Sequence, residues 1–212
     1  MDKYENILQN ELLWLKSIGC NINKTSVGIS VEREDMKTND FNFFIPFSDN
    51  FKGNCVRISS NYSQFYNCEK KLLCSDFECE ASFDLNLLAK SSNSNKKPRQ
   101  FTLKEVDYND WKCNNENRIL ISESLYYFIL FNNLIVGKVN IVTYNNIKGV
   151  YDLEIFDRYR NKGYGTNFLN EYINIHSGYT FIQTWSDNIP AIKSYVKSGF
   201  SIYENIYRYV KR

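Results

Sequence analysis

An α/β fold, with a mixed but mostly antiparallel sheet flanked by helices, is what the second half of this sequence predicts, on three observations. A strand-like run at 150–156 leads into the turn Tyr159-Arg160-Asn161-Lys162-Gly163-Tyr164-Gly165-Thr166, and a helical pattern follows at 168–176. A second strand-like run, 179–185, leads into a helix with signals at both ends. Asp187 or Asn188 can cap its start, Pro190 suits its first turn, and Gly199 stands just past its end. Two apolar runs, 126–131 and 134–143, are joined by Asn132-Asn133, a two-residue turn chemistry that suits a hairpin.

From the start of the chain, Tyr4, Ile7, Leu8, Leu12, Leu15 and Ile18 recur at helical spacing, and Gly19 supplies a stop. Val27, Ile29 and Val31 alternate as a strand does. The aromatic run 41–47 contains Pro46, which predicts an edge or a loop. Phe77, Cys79, Ala81, Phe83 and Leu85 alternate with Glu78, Glu80, Ser82 and Asp84, predicting one strand. The polar stretch 90–98 reads as an exposed linker and sets a boundary near 98. Residues 1–98 are then an N-terminal α+β region of open role, and 99–212 a separate domain. That domain starts with a strand at 99–106 and a short helix at 107–111. It continues with three antiparallel strands, the helix, strand and helix already named, and a final hairpin from 200–203 and 207–210.

Composition narrows the functions. A formal net charge of +2 speaks against a strong pull towards nucleic acid or an anionic membrane. The first residues lack the basic-then-apolar build of a signal peptide, and the longest apolar run, 125–142, is broken by Asn132-Asn133, Gly137 and Lys138. A cytoplasmic location is expected. The six cysteines form no C-x-x-C pair and there is one histidine, His176, so neither a zinc site nor a histidine-activated nucleophile is expected. Reduced, mostly buried thiols are.

The turn at 159–166 has the makings of an anion site. Glycines let the backbone approach a phosphate, and the first N–H groups of the following helix point at it. Arg160 and Lys162 add cations. An ordinary basic turn before a helix would look the same. The turn is not a Walker loop, since no G-x-x-x-x-G-K-[ST] exists in the chain, nor a dinucleotide loop, since Phe168 stands where a third glycine or alanine belongs.

Downstream the spacing N-x-x-A-x-x-x-Y-x-x-x-G-F runs from Asn188 through Ala191, Tyr195 and Gly199 to Phe200, behind R-x-x-G-x-G and a strand. The two motifs in this order resemble the GNAT superfamily of N-acetyltransferases, over roughly 100–212. The resemblance implies acetyl-coenzyme A as cosubstrate, with its pyrophosphate on the amides of Arg160, Asn161, Lys162, Gly163, Tyr164, Gly165 and Thr166. It implies a fourth strand splayed from the fifth, leaving backbone N–H groups near the exit, residues 153–157, to polarise the thioester. Ile155 or Phe156 would be the donors, with Asp157 at the end of that exit. Asn188 would touch the pantetheine arm, and Tyr195 would protonate the coenzyme A thiolate. Plain capping and core roles are the alternatives for Asn188 and Tyr195. For the general base, Glu154 is the best-placed carboxylate. Some family members carry a glutamate on the fifth strand, where this chain has Gln183, so water or Glu154 would have to serve. The family's core also has a longer helix pair after its first strand than 107–124 can supply; the N-terminal region is a candidate for the missing wall.

The resulting expectation is an acetyl-coenzyme A-dependent N-acetyltransferase acting by direct attack of a primary amine, without a metal. The acceptor would be a small molecule or a peptide, with no membrane and no nucleic acid, and with a homodimer left open. A non-catalytic acetyl-coenzyme A-binding or regulatory module is the other class. A toxin acetylating charged transfer RNA is the third, against which the near-neutral charge speaks.

Overall fold

The computed structural model of the protein describes residues 3–91, 100–112 and 118–212. The expected linker and boundary, and Cys113, fall largely or wholly outside these residues. The elements run α1 (Lys3–Ser17), β1 (Asn21–Lys24), β2 (Gly28–Glu32), β3 (Phe43–Pro46), β4 (Cys55–Ser59), α2 (Phe65–Leu73), β5 (Phe77–Cys79) and β6 (Asp84–Lys90). They continue with β7 (Phe101–Val106), α3 (Tyr108–Trp111), β8 (Ser124–Phe131), β9 (Leu134–Tyr144), β10 (Ile147–Ile155), α4 (Tyr164–Ile175), β11 (Tyr179–Trp185), α5 (Ile189–Lys197) and β12 (Ser201–Lys211). Among the described residues all the strands join one mixed, mostly antiparallel sheet, ordered β1-β2-β3-β4-β12-β6-β11-β10-β9-β8-β7, with β5 pairing β12 beside it. The β10–β11 and β3–β4 pairs are parallel.

Local signals became the elements they announce. Asn132 and Asn133 both take positive φ (48° and 62°) between β8 and β9, the conformation a two-residue hairpin turn requires. Asn188 caps α5 by accepting from Ala191 N at 3.3 Å. Gly19 and Gly199, at φ 96° and 105°, follow α1 and α5. The helix after the glycine turn begins at Tyr164, earlier than its apolar pattern suggested, because its first turn adds to the core only Tyr164, whose ring packs on Phe101 and Phe131.

Three expectations are corrected. The final hairpin is one long strand, β12, with a register shift between Ile202 and Glu204. Partners on both sides hold it straight: β4 on one edge, and β6 followed by β5 on the other. The single strand expected over 77–85 is split into β5 and β6, so that one half pairs β12 and the other fits between β12 and β11. The Pro46 run is an internal strand, β3, paired to β2 and β4, with the proline at its last residue.

The strand period places two layers. Leu85, Leu87, Val139, Ile141 and Ile182 pack under α4 with Phe168, Leu169, Tyr172 and Ile173. The opposite face puts Leu88, Val142, Ile147, Tyr151 and Phe181 against Ile7 of α1. Helix α1 thus covers part of this face of the sheet. Gly149 permits that approach, since a Cβ there would sit 2.4 Å from Asn10 Oδ1. Asn10 answers the sheet's own carbonyls, donating to Val142 O at 2.9 Å and Ile147 O at 3.2 Å.

Candidate active site

The ladder between β10 and β11 runs from Ile147 opposite Tyr179 to Val150 opposite Ile182, and there it ends. Beyond it β10 stays with β9, and β11 stays with β6 as far as Trp185 opposite Asp84. A gap therefore opens between two parallel strands at their C-terminal ends. Its cause is a bulge between Tyr151 and Glu154, where Asp152 adopts φ 50°. The Asp152 carboxylate is held there by Arg118 Nη1 at 2.8 Å and by the Trp14 indole N–H at 3.4 Å. Trp14 in turn stacks on Tyr151, 4.7 Å between ring centroids.

At the exit of β10, the Phe156 N–H donates to Val136 O of β9 at 3.0 Å. Phe156 is therefore not a donor to the gap, a correction to the pair expected there. Alternation along the strand turns Ile155 N–H the other way, towards the gap. Asp157 opens a 3-10 turn, Asp157–Tyr159, and its carboxylate pairs with Arg160 Nη1 at 2.9 Å. Arg160 Nε also donates to Ile155 O at 2.9 Å, so this guanidinium ties the loop to the end of β10. Lys162 Nζ donates to Arg158 O at 3.0 Å.

The chain then turns through Asn161 (φ 60°) and Gly163 (φ 77°) into α4. The first helical bond is Asn167 N to Gly163 O, so the N–H groups of Tyr164, Gly165 and Thr166 precede the ladder and are available to an anion. A Cβ at Gly165 would lie 3.4 Å from Ile155 Cγ1, so the helix start sits close against the exit of β10. This loop suits a pyrophosphate by the amides it offers.

Helix α5 is fixed to the same place. Thr166 Oγ1 and Ser194 Oγ lie 2.7 Å apart, and Ser198 Oγ donates to Thr166 O at 3.1 Å. Asn188 uses Oδ1 for its cap, leaving its Nδ2 for a ligand. Tyr195 is half-buried at the rim of the α4-side core, its ring 6.3 Å from Phe200. Burial pushes its hydroxyl pKa up, so it holds its proton.

Glu154 lies on the α1 side of the sheet, opposite Lys138 in the register, and its side chain is 41% exposed. Lys138 Nζ is 3.5 Å from its Oε2 and 4.4 Å from the centroid of Trp111 on α3. Arg160 approaches its other oxygen at 4.0 Å. Tyr195 and Glu154 thus stand on opposite faces of the sheet.

A buried polar network adjoins the gap, and sequence reasoning missed it. Glu11 of α1 accepts from Arg57 Nη2 at 2.9 Å, and Arg57 also reaches Asp84 at 3.4 Å. Arg208 pairs with Asp84 and Asp40 and lies over Trp185, 3.9 Å from its ring centroid. Burial raises the pKa of Glu204, against the opposing hydrogen bonds of Ser59 and Asn86. One signal was there to be read: Asn10 and Glu11 interrupt the apolar stripe of α1 at buried positions. Beside the network lies a cavity of about 20 Å³, enough for one water. Among the described residues no helix is long and apolar enough to cross a membrane.

Comparison with known proteins supplies a family. The family model described as "Acetyltransferase (GNAT) family" matches residues 87–200. Solved structures share the fold at low identity. A GCN5-related N-acetyltransferase from Kribbella flavida has a TM-score of 0.65 at 8% identity, covering 100% of this chain and 96% of that one. An acetyltransferase from the GNAT family from Colwellia psychrerythraea has a TM-score of 0.55 at 10% identity, covering 100% and 98%. A functionally unknown conserved protein from Staphylococcus epidermidis has a TM-score of 0.58 at 11% identity, covering 92% and 94%. No curated protein matches.

Proposed function

The chain belongs to the acetyltransferase (GNAT) family, and from that premise we propose that it transfers acetyl from acetyl-coenzyme A directly to a primary amine. One observation carries this reading. The β10–β11 ladder stops at Val150 and Ile182, and the resulting gap opens beside a helix start whose free amides suit the pyrophosphate.

The coenzyme's diphosphate rests on the N–H groups of the turn and of Tyr164, Gly165 and Thr166, and its arm passes Asn188 into the gap. Ile155 N–H points at the thioester oxygen and stabilises the charge that develops there. The amine nitrogen attacks the carbonyl carbon and the C–N bond forms. The C–S bond then breaks, and the thiolate takes its proton from the Tyr195 hydroxyl. Glu154, directly or through a water, accepts the proton that the amine gives up. Burial keeps the Tyr195 hydroxyl protonated until the thiolate leaves, and the tyrosinate formed by the transfer takes its proton back from solvent.

The test is thiol release from acetyl-coenzyme A by the purified chain across a panel of primary amines, with calorimetry of acetyl-coenzyme A alone. Binding and amine-dependent release are expected. Binding without release from any amine would leave a binding module, and no binding would overturn the site altogether.

A further inference from the structure

Gln183 is the first residue of β11 beyond its last pair with β10, and its side chain leaves the sheet on the α1 side. Its amide nitrogen donates to Asn86 Oδ1 at 3.1 Å and to Glu11 Oε1 at 3.4 Å. A primary amide has two N–H bonds and one oxygen. With both N–H bonds turned inward, Oε1 is the end left for the gap.

The amide cannot reverse without cost. Asn86 gives its own Nδ2 to Glu204 Oε1 at 2.7 Å, so it shows Gln183 a carbonyl. Glu11, held by the Arg57 guanidinium, shows it a carboxylate oxygen. Ser59 donates to the second oxygen of Glu204 and so completes a one-way chain of hydrogen bonds. Turning the Gln183 amide would set its oxygen against two others in a buried site, where unpaired polar atoms are expensive.

Helices α4 and α5 close the other face of the sheet, so an acceptor enters from the α1 side, which Gln183 and Glu154 share. We propose that Gln183 Oε1 holds the acceptor nitrogen by one of its N–H bonds, with Asn86 and Glu11 as the positioning residues that lock the amide. This rests on the transfer reading and sharpens its substrate class. A neutral primary amine carries two N–H bonds. Glu154 takes one proton as the C–N bond forms, and the N–H bound to Gln183 stays on the product amide. A secondary amine has a single N–H, which Glu154 must take, and it sets an alkyl group against the Gln183 oxygen. The site therefore selects primary over secondary amines.

The experiment compares n-butylamine with N-methylbutylamine as acceptors, using thiol release, for wild type, Gln183→Met and Glu11→Gln. Wild type is expected to prefer n-butylamine in kcat/KM by roughly tenfold or more, the scale of one lost hydrogen bond with its partner left unpaired. Gln183→Met should erase that preference by slowing n-butylamine, with acetyl-coenzyme A affinity unchanged. Glu11→Gln keeps the shape of α1 but can donate towards Gln183, which frees the amide to turn. It should narrow the preference, and it provides the answer if Gln183→Met does not fold. A preference in either folded variant equal to that of wild type overturns the assignment of Gln183, as does a wild type without preference. A wild type that binds acetyl-coenzyme A and acetylates neither these nor any other amine overturns the transfer reading beneath it.

Discussion

Replacing Tyr195 with phenylalanine keeps the ring against Phe200 and removes only the hydroxyl. If that hydroxyl protonates the thiolate, kcat should fall by about 10²–10⁴ while acetyl-coenzyme A binds as before. A purely structural tyrosine would instead leave turnover intact and shift the melting temperature slightly. Pre-steady-state kinetics beside calorimetry separates the two. Glu154 calls for a pH profile. A base works only when deprotonated, so its limb of the profile rises with pH, and Glu154→Gln should abolish that rise. A limb that survives unchanged would assign it to the acceptor amine's own ionisation. At this scale the sequence was readable in part. The spacing around Tyr195 and the strand position of Glu154 could be seen, because both follow from local periodicity. The use of Phe156 N–H by Val136 could not, since it depends on which edge of the strand each amide faces.

The turn from Asp157 into α4 does its work as an element, with a backbone and not a side chain as the binding surface. Gly163 holds φ 77°, a region in which a β-branched residue is strained by roughly 1–3 kcal/mol. Gly163→Val should move the loop off this geometry and misdirect the amides of the first turn. The Kd for acetyl-coenzyme A should rise by about tenfold or more, as ~1.4 kcal/mol implies. Calorimetry checks this, and an unchanged Kd would remove the loop from the coenzyme site. Such elements announce themselves in sequence because caps, glycines and helical stripes act within a few residues. The bulge at Asp152 did not, because an aspartate in a strand has meaning only once Arg118 and Trp14 are brought to it. Nor did the passage of β12 between β4 and β6, whose partners lie more than a hundred residues away.

At the scale of the whole molecule, β12 joins the first part of the chain to the last, and Glu204 sits in that seam, bonded to Ser59 of β4 and Asn86 of β6. Desolvation raises its pKa most, and Glu11 adds to the rise, while Ser59, Asn86 and Arg57 oppose it. A carboxyl whose folded pKa lies above its unfolded value of about 4.3 binds its proton more tightly in the folded chain. The stability it contributes is fully present below the unfolded pKa and is lost as pH rises through the folded one. Each unit of difference is worth about 1.4 kcal/mol. Replacing Glu204 with glutamine fixes the neutral form. The new amide oxygen can accept from Asn86, and its nitrogen can donate to the Ser59 hydroxyl, so both bonds survive. Melting temperatures followed from about pH 4 to 8 should then fall less steeply for Glu204→Gln than for wild type as pH rises. Parallel curves would mean that Glu204 does not titrate across the seam.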